Sequence, residues 1–333
     1  MDWKRRFRFV AAPSAGATPN LRECVAAGLA ATPKRLPCIF FYDEAGSDLF
    51  DAICDLPEYY LTRAEDEILC TSREEILEAA GRPRDVVELG CGSARKTQKL
   101  LEAAIAYGDV RFLPIDISEH ALAEASENLL KRLQRLFVHA IAGEFQDGLR
   151  VLPPSQGPRL FLFMGSNIGN LEHEEAAGFL GAIRGQMRVH DRLLLGADLV
   201  KEPAVLIAAY NDSAGVTERF NKNVLRRINT ELGGEFDLDS FEHRAPWVAE
   251  RSRIEMHLVS RLPQRVPIRE LNAAFGFEAG ETIWTESCHK YTEESLSELA
   301  RKGGLRVQKT WFDSDRRFSV LLLAPDAGGT VSS

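Results

Sequence analysis

The chain has no uninterrupted run of about eighteen apolar residues, so no membrane-spanning helix is expected. Its six cysteines, at positions 24, 38, 54, 70, 91 and 288, include no C-x-x-C pair. A disulfide framework and a zinc site are therefore set aside, no metal is expected, and the scattered thiols read as reduced cysteines of a cytoplasmic protein. There is no basic block, only short pairs such as Arg5-Arg6 and Arg226-Arg227, and 49 acidic residues outnumber 41 basic ones for a net charge of −8. Nucleic acid and anionic membranes are accordingly not expected as partners. Aromatics make up only 8% of the chain, and no segment repeats another. What remains is a globular composition, 45% apolar and 27% charged over 333 residues, enough for one large or two moderate domains.

The N-terminal stretch, basic at Lys4-Arg5-Arg6 and breaker-rich around Pro13 and Pro19, reads as a flexible tail over residues 1–20, and residues 326–333 read the same way. An amphipathic helix is expected over Leu21–Ala31, closed by Pro33 and Pro37. Phe40, Phe41, Tyr42, Phe50, Tyr59 and Tyr60 then fall close together. Phenylalanines favour a core, whereas grouped tyrosines, each with a hydroxyl to satisfy, favour a polar ligand site. Thr62 and Glu65 have capping-box spacing for a long helix toward Ala80. From there apolar strands alternate with helices: Asp85–Leu89, Val110–Asp116, Phe137–Ala142, Arg159–Met164 and Arg192–Asp198 as strands, with helices near 96–106, 121–136 (capped by Ser118) and 173–188. Continuously apolar strands are covered on both faces, which predicts a parallel α/β sheet. The alternation stops after Asp198. Residues 201–235 read as helical and 236–285 as strands joined by turns. A helix at 293–301 and a hairpin of Val307–Phe312 with Phe318–Leu323 return the chain to the sheet.

Strand one ends in Glu88-Leu89-Gly90-Cys91-Gly92, followed by a helix opening near Lys96. The second glycine is not followed three residues later by a third, since Arg95 stands there, so the dinucleotide fingerprint is incomplete. The form E-x-G-x-G fits an S-adenosylmethionine (SAM) loop instead. In an open α/β sheet ligands sit at the carboxyl ends of the strands. Those ends supply Glu88 and Gly90, then Asp116 for ribose hydroxyls, Glu144 and Phe145 for adenine, and the turn Gly165–Asn170. Asp116 also reads as a loop acid that caps the next helix, and Lys96 as a solvent-facing lysine.

Further stretches run in order along residues 20–325: F-Y-D-E-x-G-S-D-L-F at 41–50, L-P-E-Y-Y-x-T-R at 56–63, G-S-x-I-G-N at 165–170, D-L-V-K at 198–201, Y-N-D-x-x-G-V-T-x-x-F-N at 210–221, F-D-x-x-x-F-x-H at 236–243, I-E-M at 254–256 and T-E-S-C-H-K-Y at 285–291. With the glycine loop, they resemble the SAM-dependent histidine Nα-methyltransferase family of ergothioneine biosynthesis. The resemblance implies a Rossmann-like class I SAM methyltransferase sheet over 63–200 and 287–325. It also implies a discontinuous α+β substrate-binding domain over 21–62 and 201–286. Tyr42, Gly90, Lys96, Asp116, Glu144 and Phe145 would then line the SAM site. Tyr59, Asn170, Tyr210, Met256, Glu286 and Cys288 would hold L-histidine, with Asn170 and Tyr210 on its carboxylate and Glu286 and Cys288 facing its imidazole. Tyr42, Asn170 and Tyr210 would be the residues closest to catalysis. The expected protein is a monomer acting on a small molecule to give N,N,N-trimethylhistidine.

Two positions depart from the family pattern. Cys288 stands where serine is usual, and a thiol is the weaker hydrogen-bond partner. Glu144 stands where aspartate is usual. An N-methyltransferase acting on another amino acid or derivative is therefore the alternative within the family, and a non-catalytic SAM-fold subunit is the alternative outside it.

Overall fold

The structure, a computed structural model, describes residues 3–13 and 20–326. The chain opens with β1 (Phe7–Ala11), α1 (Leu21–Ala30), β2 (Lys34–Arg35), α2 (Glu44–Cys54) and α3 (Tyr60–Ala79). The alternating stretch follows as β3 (Asp85–Leu89), α4 (Arg95–Ala104), β4 (Val110–Asp116), α5 (Glu119–Arg132), β5 (Leu136–Ala142), α6 (Phe145–Arg150), β6 (Arg159–Phe163), α7 (His173–Gln186) and β7 (Arg192–Asp198). Next come α8 (Pro203–Tyr210), α9 (Val216–Leu232), β8 (Phe241–Arg244), β9 (Trp247–Val248), β10 (Arg253–Ser260), β11 (Gln264–Ile268), β12 (Ala273–Phe277) and β13 (Thr282–His289). The chain closes with α10 (Glu293–Lys302), β14 (Leu305–Phe312) and β15 (Phe318–Pro325). Among the described residues no helix is long and apolar enough to cross a membrane.

Two compact units emerge. Of the described residues, 3–13, 63–199 and 291–326 form the first, and 20–62 with 200–290 the second. The expected boundary at 286/287 falls inside β13. That strand continues its antiparallel ladder with β10 through Ile254↔Cys288 and Arg253↔His289, so residues 287–290 stay with the second unit.

The first unit is built on an eight-stranded sheet in the order β1-β5-β4-β3-β6-β7-β15-β14. Its strands are parallel from β1 to β7, and the β14–β15 hairpin adds two antiparallel ones. Every residue of β3 is buried, as a strand covered on both faces requires. β3 is also the switch point: chain order runs outward from it to β4 and β5 on one side and to β6 and β7 on the other. Val87, Leu89, Leu113, Phe161, Leu193 and Leu195 pack here with Leu180 and Ile183 of α7 and Leu296 of α10.

The N-terminal tail is corrected in part. Phe7–Ala11 is a strand, parallel to β5 from Phe7↔Val138 to Ala11↔Ala142. Its side chains are mostly exposed, so burial does not hold it. The backbone ladder does, together with the Arg6 guanidinium, which donates to the carbonyls of Leu130 (2.7 Å), Leu133 (2.6 Å) and Leu136 (2.8 Å) and so satisfies the end of α5. The parts of the two expected tails at 1–2, 14–19 and 327–333 lie outside the described residues. The Thr62–Glu65 capping box is also corrected. α3 starts at Tyr60, which places Thr62 inside the helix, and Glu65 is fully buried with other work to do.

The second unit contains the sheet β2-β13-β10-β8, with β9 also paired to β10, and a separate β11–β12 hairpin. Phe220, Val224, Leu225 and Ile228 make the buried face of α9, at the three- and four-residue spacing of an amphipathic helix.

Candidate active site

In the first unit the strand ends converge as the sequence suggests. After β3 the chain turns through Gly90 at φ +76°, a left-handed conformation that suits glycine, and a Cβ there would stand 3.3 Å from Phe145 Cζ. Phe145 therefore lies against the glycine turn, backed by the rings of Phe163 and Phe179 at 5.9 and 5.8 Å. Asp116 links strand two to the same turn. Its carboxylate accepts from the backbone N–H of Gly92 (3.2 Å) and of Ser118 (3.0 Å), so it caps its own loop as well. Glu88 accepts from the Thr97 hydroxyl through one oxygen. Burial, partly offset by that bond and by Lys96, pushes its carboxyl up to about 8.

Lys96 forms an ion pair with Glu65, whose other oxygen accepts from the Gly165 N–H at 2.7 Å. Glu65, unassigned as a site residue from sequence, thus ties α3 to both α4 and the turn after β6. That turn carries two successive left-handed residues, Gly165 (φ +75°) and Ser166 (φ +59°), and leads into a 3₁₀ turn ending at Asn170. Non-glycine residues held in this region mark sites where the surroundings over-determine the backbone. The Ser166 hydroxyl accepts from the Asp198 N–H at 2.9 Å, which provides such a restraint.

In the second unit the aromatics of 40–60 divide as their chemistry dictates. The rings of Phe41, Tyr42 and Phe50 gather around Phe220 at centroid distances of 4.8, 5.4 and 5.9 Å. Tyr59 bridges from Phe50 (6.4 Å) to Tyr210 (6.2 Å). The Tyr42 loop is pinned from below. The Asn223 side-chain amide donates to Phe41 O (3.0 Å) and Asp43 (2.8 Å), and Asp43 caps α2 at Gly46. Gly46 is required by close approach, since a Cβ would lie 1.7 Å from Phe41 O. Tyr42 is 38% exposed as a whole, but desolvation around its hydroxyl, with the nearby Glu286 carboxylate, raises that hydroxyl above the usual phenol range. Burial does the same to Tyr59. Both phenols are therefore neutral hydrogen-bonding groups at ordinary pH.

The remaining residues meet on the sheet. β10 and β13 pair antiparallel with Met256 directly opposite Glu286, so these two side chains share one face. Cys288, two residues on, points the same way. Its Sγ is 2.8 Å from the Tyr210 hydroxyl at the end of α8. Lys290 Nζ donates to Tyr210 Oη (2.8 Å) and to Cys288 Sγ (3.2 Å). Burial pushes the Glu286 carboxyl up to about 7, against the lowering pull of Lys290. Behind this face a buried relay locks Tyr210. His243 Nε2 donates to Tyr210 O at 2.8 Å, and Asn221 meets His243 Nδ1 at 2.9 Å. Thr285, beside Glu286, donates to Asn221 Oδ1 at 2.7 Å. Sequence reasoning missed Asn221, Asn223, His243 and Lys290 as contributors. The signal for Lys290 was available, because 286, 288 and 290 alternate and so share a strand face.

The structure thus brings Gly90, Lys96, Asp116, Glu144 and Phe145 together in the first unit, where Asn170 also stands. It groups Tyr42, Tyr59, Tyr210, Met256, Glu286 and Cys288 in the second. A family model described as histidine-specific methyltransferase, SAM-dependent, matches residues 21–325. The chain belongs to this family. The histidine-specific methyltransferases include relatives of nearly equal length. This chain is 43% identical to a histidine N-alpha-methyltransferase of Mycolicibacterium smegmatis, covering 94% of this chain and 97% of the relative. It is 42% identical to one of Mycobacterium tuberculosis, covering 91% and 94%. A third relative, ergothioneine biosynthesis protein 1 of Schizosaccharomyces pombe, is 31% identical over 87% of this chain and 39% of its own length.

The first unit suits the methyl donor of this SAM-dependent family. Buried acceptor oxygens want donors, and here Glu88 Oε2 and Glu144 Oε1 are buried without a hydrogen-bond partner among the described residues. SAM carries an ammonium, ribose hydroxyls and an adenine amine to offer them. Among the described residues no group of three or more His, Cys, Asp or Glu could hold a metal ion.

Proposed function

We propose that this histidine-specific methyltransferase transfers methyl groups from SAM to the α-amino group of L-histidine, ending at N,N,N-trimethylhistidine on the route to ergothioneine. The observation that carries the reading is the shared face of β10 and β13. It sets an apolar Met256 and a half-buried Glu286 carboxylate side by side, next to the hydroxyl of Tyr210. A carboxylate in this setting pairs with an imidazole N–H and rejects side chains that cannot offer one. Tyr210 donates to the substrate carboxylate, and Tyr59 walls the site beside it. The roles of Tyr42 toward SAM and of Asn170 toward the substrate carboxylate rest on the family resemblance.

Bound SAM supplies a methyl group on a sulfonium. The protein's part is to fix the attacking amine in line with it and to exclude water. With Tyr42 and Tyr59 held neutral, their hydroxyl oxygens accept from the amine N–H groups and orient its lone pair, and the amine loses its proton to bulk water before the transfer step, not during it. A second reading, methylation of another amino acid, is favoured by one feature. The thiol of Cys288 is engaged with Tyr210 and Lys290, and it offers an imidazole less than a serine hydroxyl would. Monomeric, cytoplasmic operation belongs to the same proposal and is checked by sedimentation and cell fractionation.

The test is mass spectrometry of the full chain incubated with SAM and each of the twenty amino acids. A gain of three methyl groups on histidine alone is expected. Methylation of a different amino acid, with histidine untouched, overturns the reading.

A further inference from the structure

We infer that His243 is a positioning residue that sets substrate specificity: through Asn221 it holds the Tyr210 end of the site at a fixed span from the Glu286 end, and so lets the enzyme distinguish histidine from an amino acid whose side chain is one methylene longer. This rests on the proposed reading that Tyr210 and Glu286 hold the two ends of an amino acid.

At the centre of the device is Asn221 of α9, whose side chain is fully buried. Its amide nitrogen lies 3.2 Å from His257 O and 2.9 Å from His243 Nδ1, and its Oδ1 accepts from the Thr285 hydroxyl at 2.7 Å. His257 fixes which way this amide points. A backbone carbonyl only accepts, so the group facing it is the NH2, and the same group faces His243. Nδ1 therefore accepts. Nε2, 2.8 Å from Tyr210 O, faces another carbonyl and so carries the ring proton. His243 is held in one neutral tautomer with both ring nitrogens engaged. Burial, partly offset by the bond to Tyr210 O, keeps its pKa below the usual imidazole value, in keeping with that form.

The other end of the relay sits where the β10–β13 ladder slips. Met256 pairs with Glu286 and His257 with Trp284, which leaves Thr285 without a counterpart across the ladder. The slip decides which residues of β13 stand on the face of Met256, since a shift of one residue would turn Glu286 to the opposite face. Asn221 braces it from both strands, through His257 O on β10 and Thr285 on β13, and the Thr285 hydroxyl also lies 3.0 Å from Met256 O. His243, on β8 opposite Leu258 of β10, carries the restraint on to Tyr210 at the end of α8. One amide thus ties the register of Glu286 to the position of Tyr210. The span between them cannot stretch without breaking a buried hydrogen bond. Histidine has one methylene between its α-carbon and its imidazole. With one end of the substrate seated, a side chain longer by a methylene drives the other end out of place.

The experiment uses the full chain with His243→Phe, which keeps a ring but makes neither bond, and His243→Gln, whose amide can still donate to Tyr210 O. Steady-state kinetics are measured on L-histidine and on its homologue with one more side-chain methylene. The wild type should favour histidine about 50-fold in kcat/KM. His243→Phe should lower that preference about tenfold, through a KM for histidine about tenfold higher with kcat within about threefold, and the SAM dissociation constant should stay within about twofold. His243→Gln should keep most of the preference. A wild type that takes both substrates equally, equal losses on both in His243→Phe, or a His243→Gln no better than His243→Phe would overturn the inference. Nitrogen-15 spectra of histidine-labelled protein, with the His243 signal assigned by its loss in His243→Gln, should show Nε2 protonated and Nδ1 unprotonated near neutral pH. The other tautomer, or the imidazolium, overturns the inference as well. Should His243→Phe fail to fold, Thr285→Val serves, since it keeps the shape and breaks the relay at its other end. It should lower the preference about fivefold, and an unchanged preference overturns the inference. If the wild type methylates an amino acid other than histidine, the histidine reading falls, while that amino acid and its homologue one methylene longer still test His243. If it methylates none, both fall.

Discussion

The two units place their chemistry in different ways. In the first, each acid or glycine stands at the end of a parallel strand, so Glu88, Asp116 and Glu144 follow one another through successive β-α steps. In the second, Tyr59, Tyr210, Met256 and Glu286 come from α2–α3, α8, β10 and β13, and no local pattern connects them. A ladder register and a buried His243–Asn221–Thr285 relay bring them together. A parallel sheet makes its site wherever strands end, whatever the ligand. A mixed unit has to specify its site through side-chain contacts, and under the proposed reading it is the one whose residues set which substrate is taken.

The sharpest break of this comparison is Glu286→Ala. The variant should lose about 100-fold or more in kcat/KM for histidine, because an imidazole N–H is left without its acceptor. Its SAM affinity, measured by calorimetry, should stay within about twofold. A parallel fall in SAM affinity would show that the two sets of residues do not divide the work. The converse is Asp116→Ala. SAM affinity should drop about 30-fold through loss of charged hydrogen bonds to the ribose, and the Gly92 and Ser118 amides lose their acceptor as well. Histidine KM at saturating SAM should change little, and an equal rise in both would count against the division.

The smallest effect expected is in pH. With the Glu286 carboxyl pushed up to about 7, it is charged above that value and neutral below it. KM for histidine should therefore rise roughly tenfold between about pH 8 and pH 6, and Glu286→Gln should flatten the profile. A wild-type profile as flat as the variant's would remove Glu286 from the imidazole. Stability runs the other way. A folded value above the usual 4.5 favours the fold fully below about 4.5, and that contribution is lost as pH rises through about 7.

Much of this is legible in the sequence. β3, β4 and β7 fall on the expected residues, because buried parallel strands are apolar throughout and bounded by acids and glycines. The edge strand β1 was not legible. Its side chains are exposed, and what fixes it is a ladder to β5 more than a hundred residues away and the reach of Arg6 to the end of α5. Glu65 was misread for a related reason. Capping-box spacing is a local signal, whereas its burial against Lys96 and Gly165 is a tertiary one.

The doubly covered sheet, the SAM-type glycine turn, the acids at the strand ends and membership of the family are all written in short-range patterns of residue type. It takes the packed chain to show that Met256 faces Glu286, that Lys290 donates to both Tyr210 and Cys288, and that His243 holds Tyr210 in place. Those contacts depend on register and side-chain direction between segments far apart in the chain, and a side chain's partner, charge environment and proton direction exist only once those segments have packed.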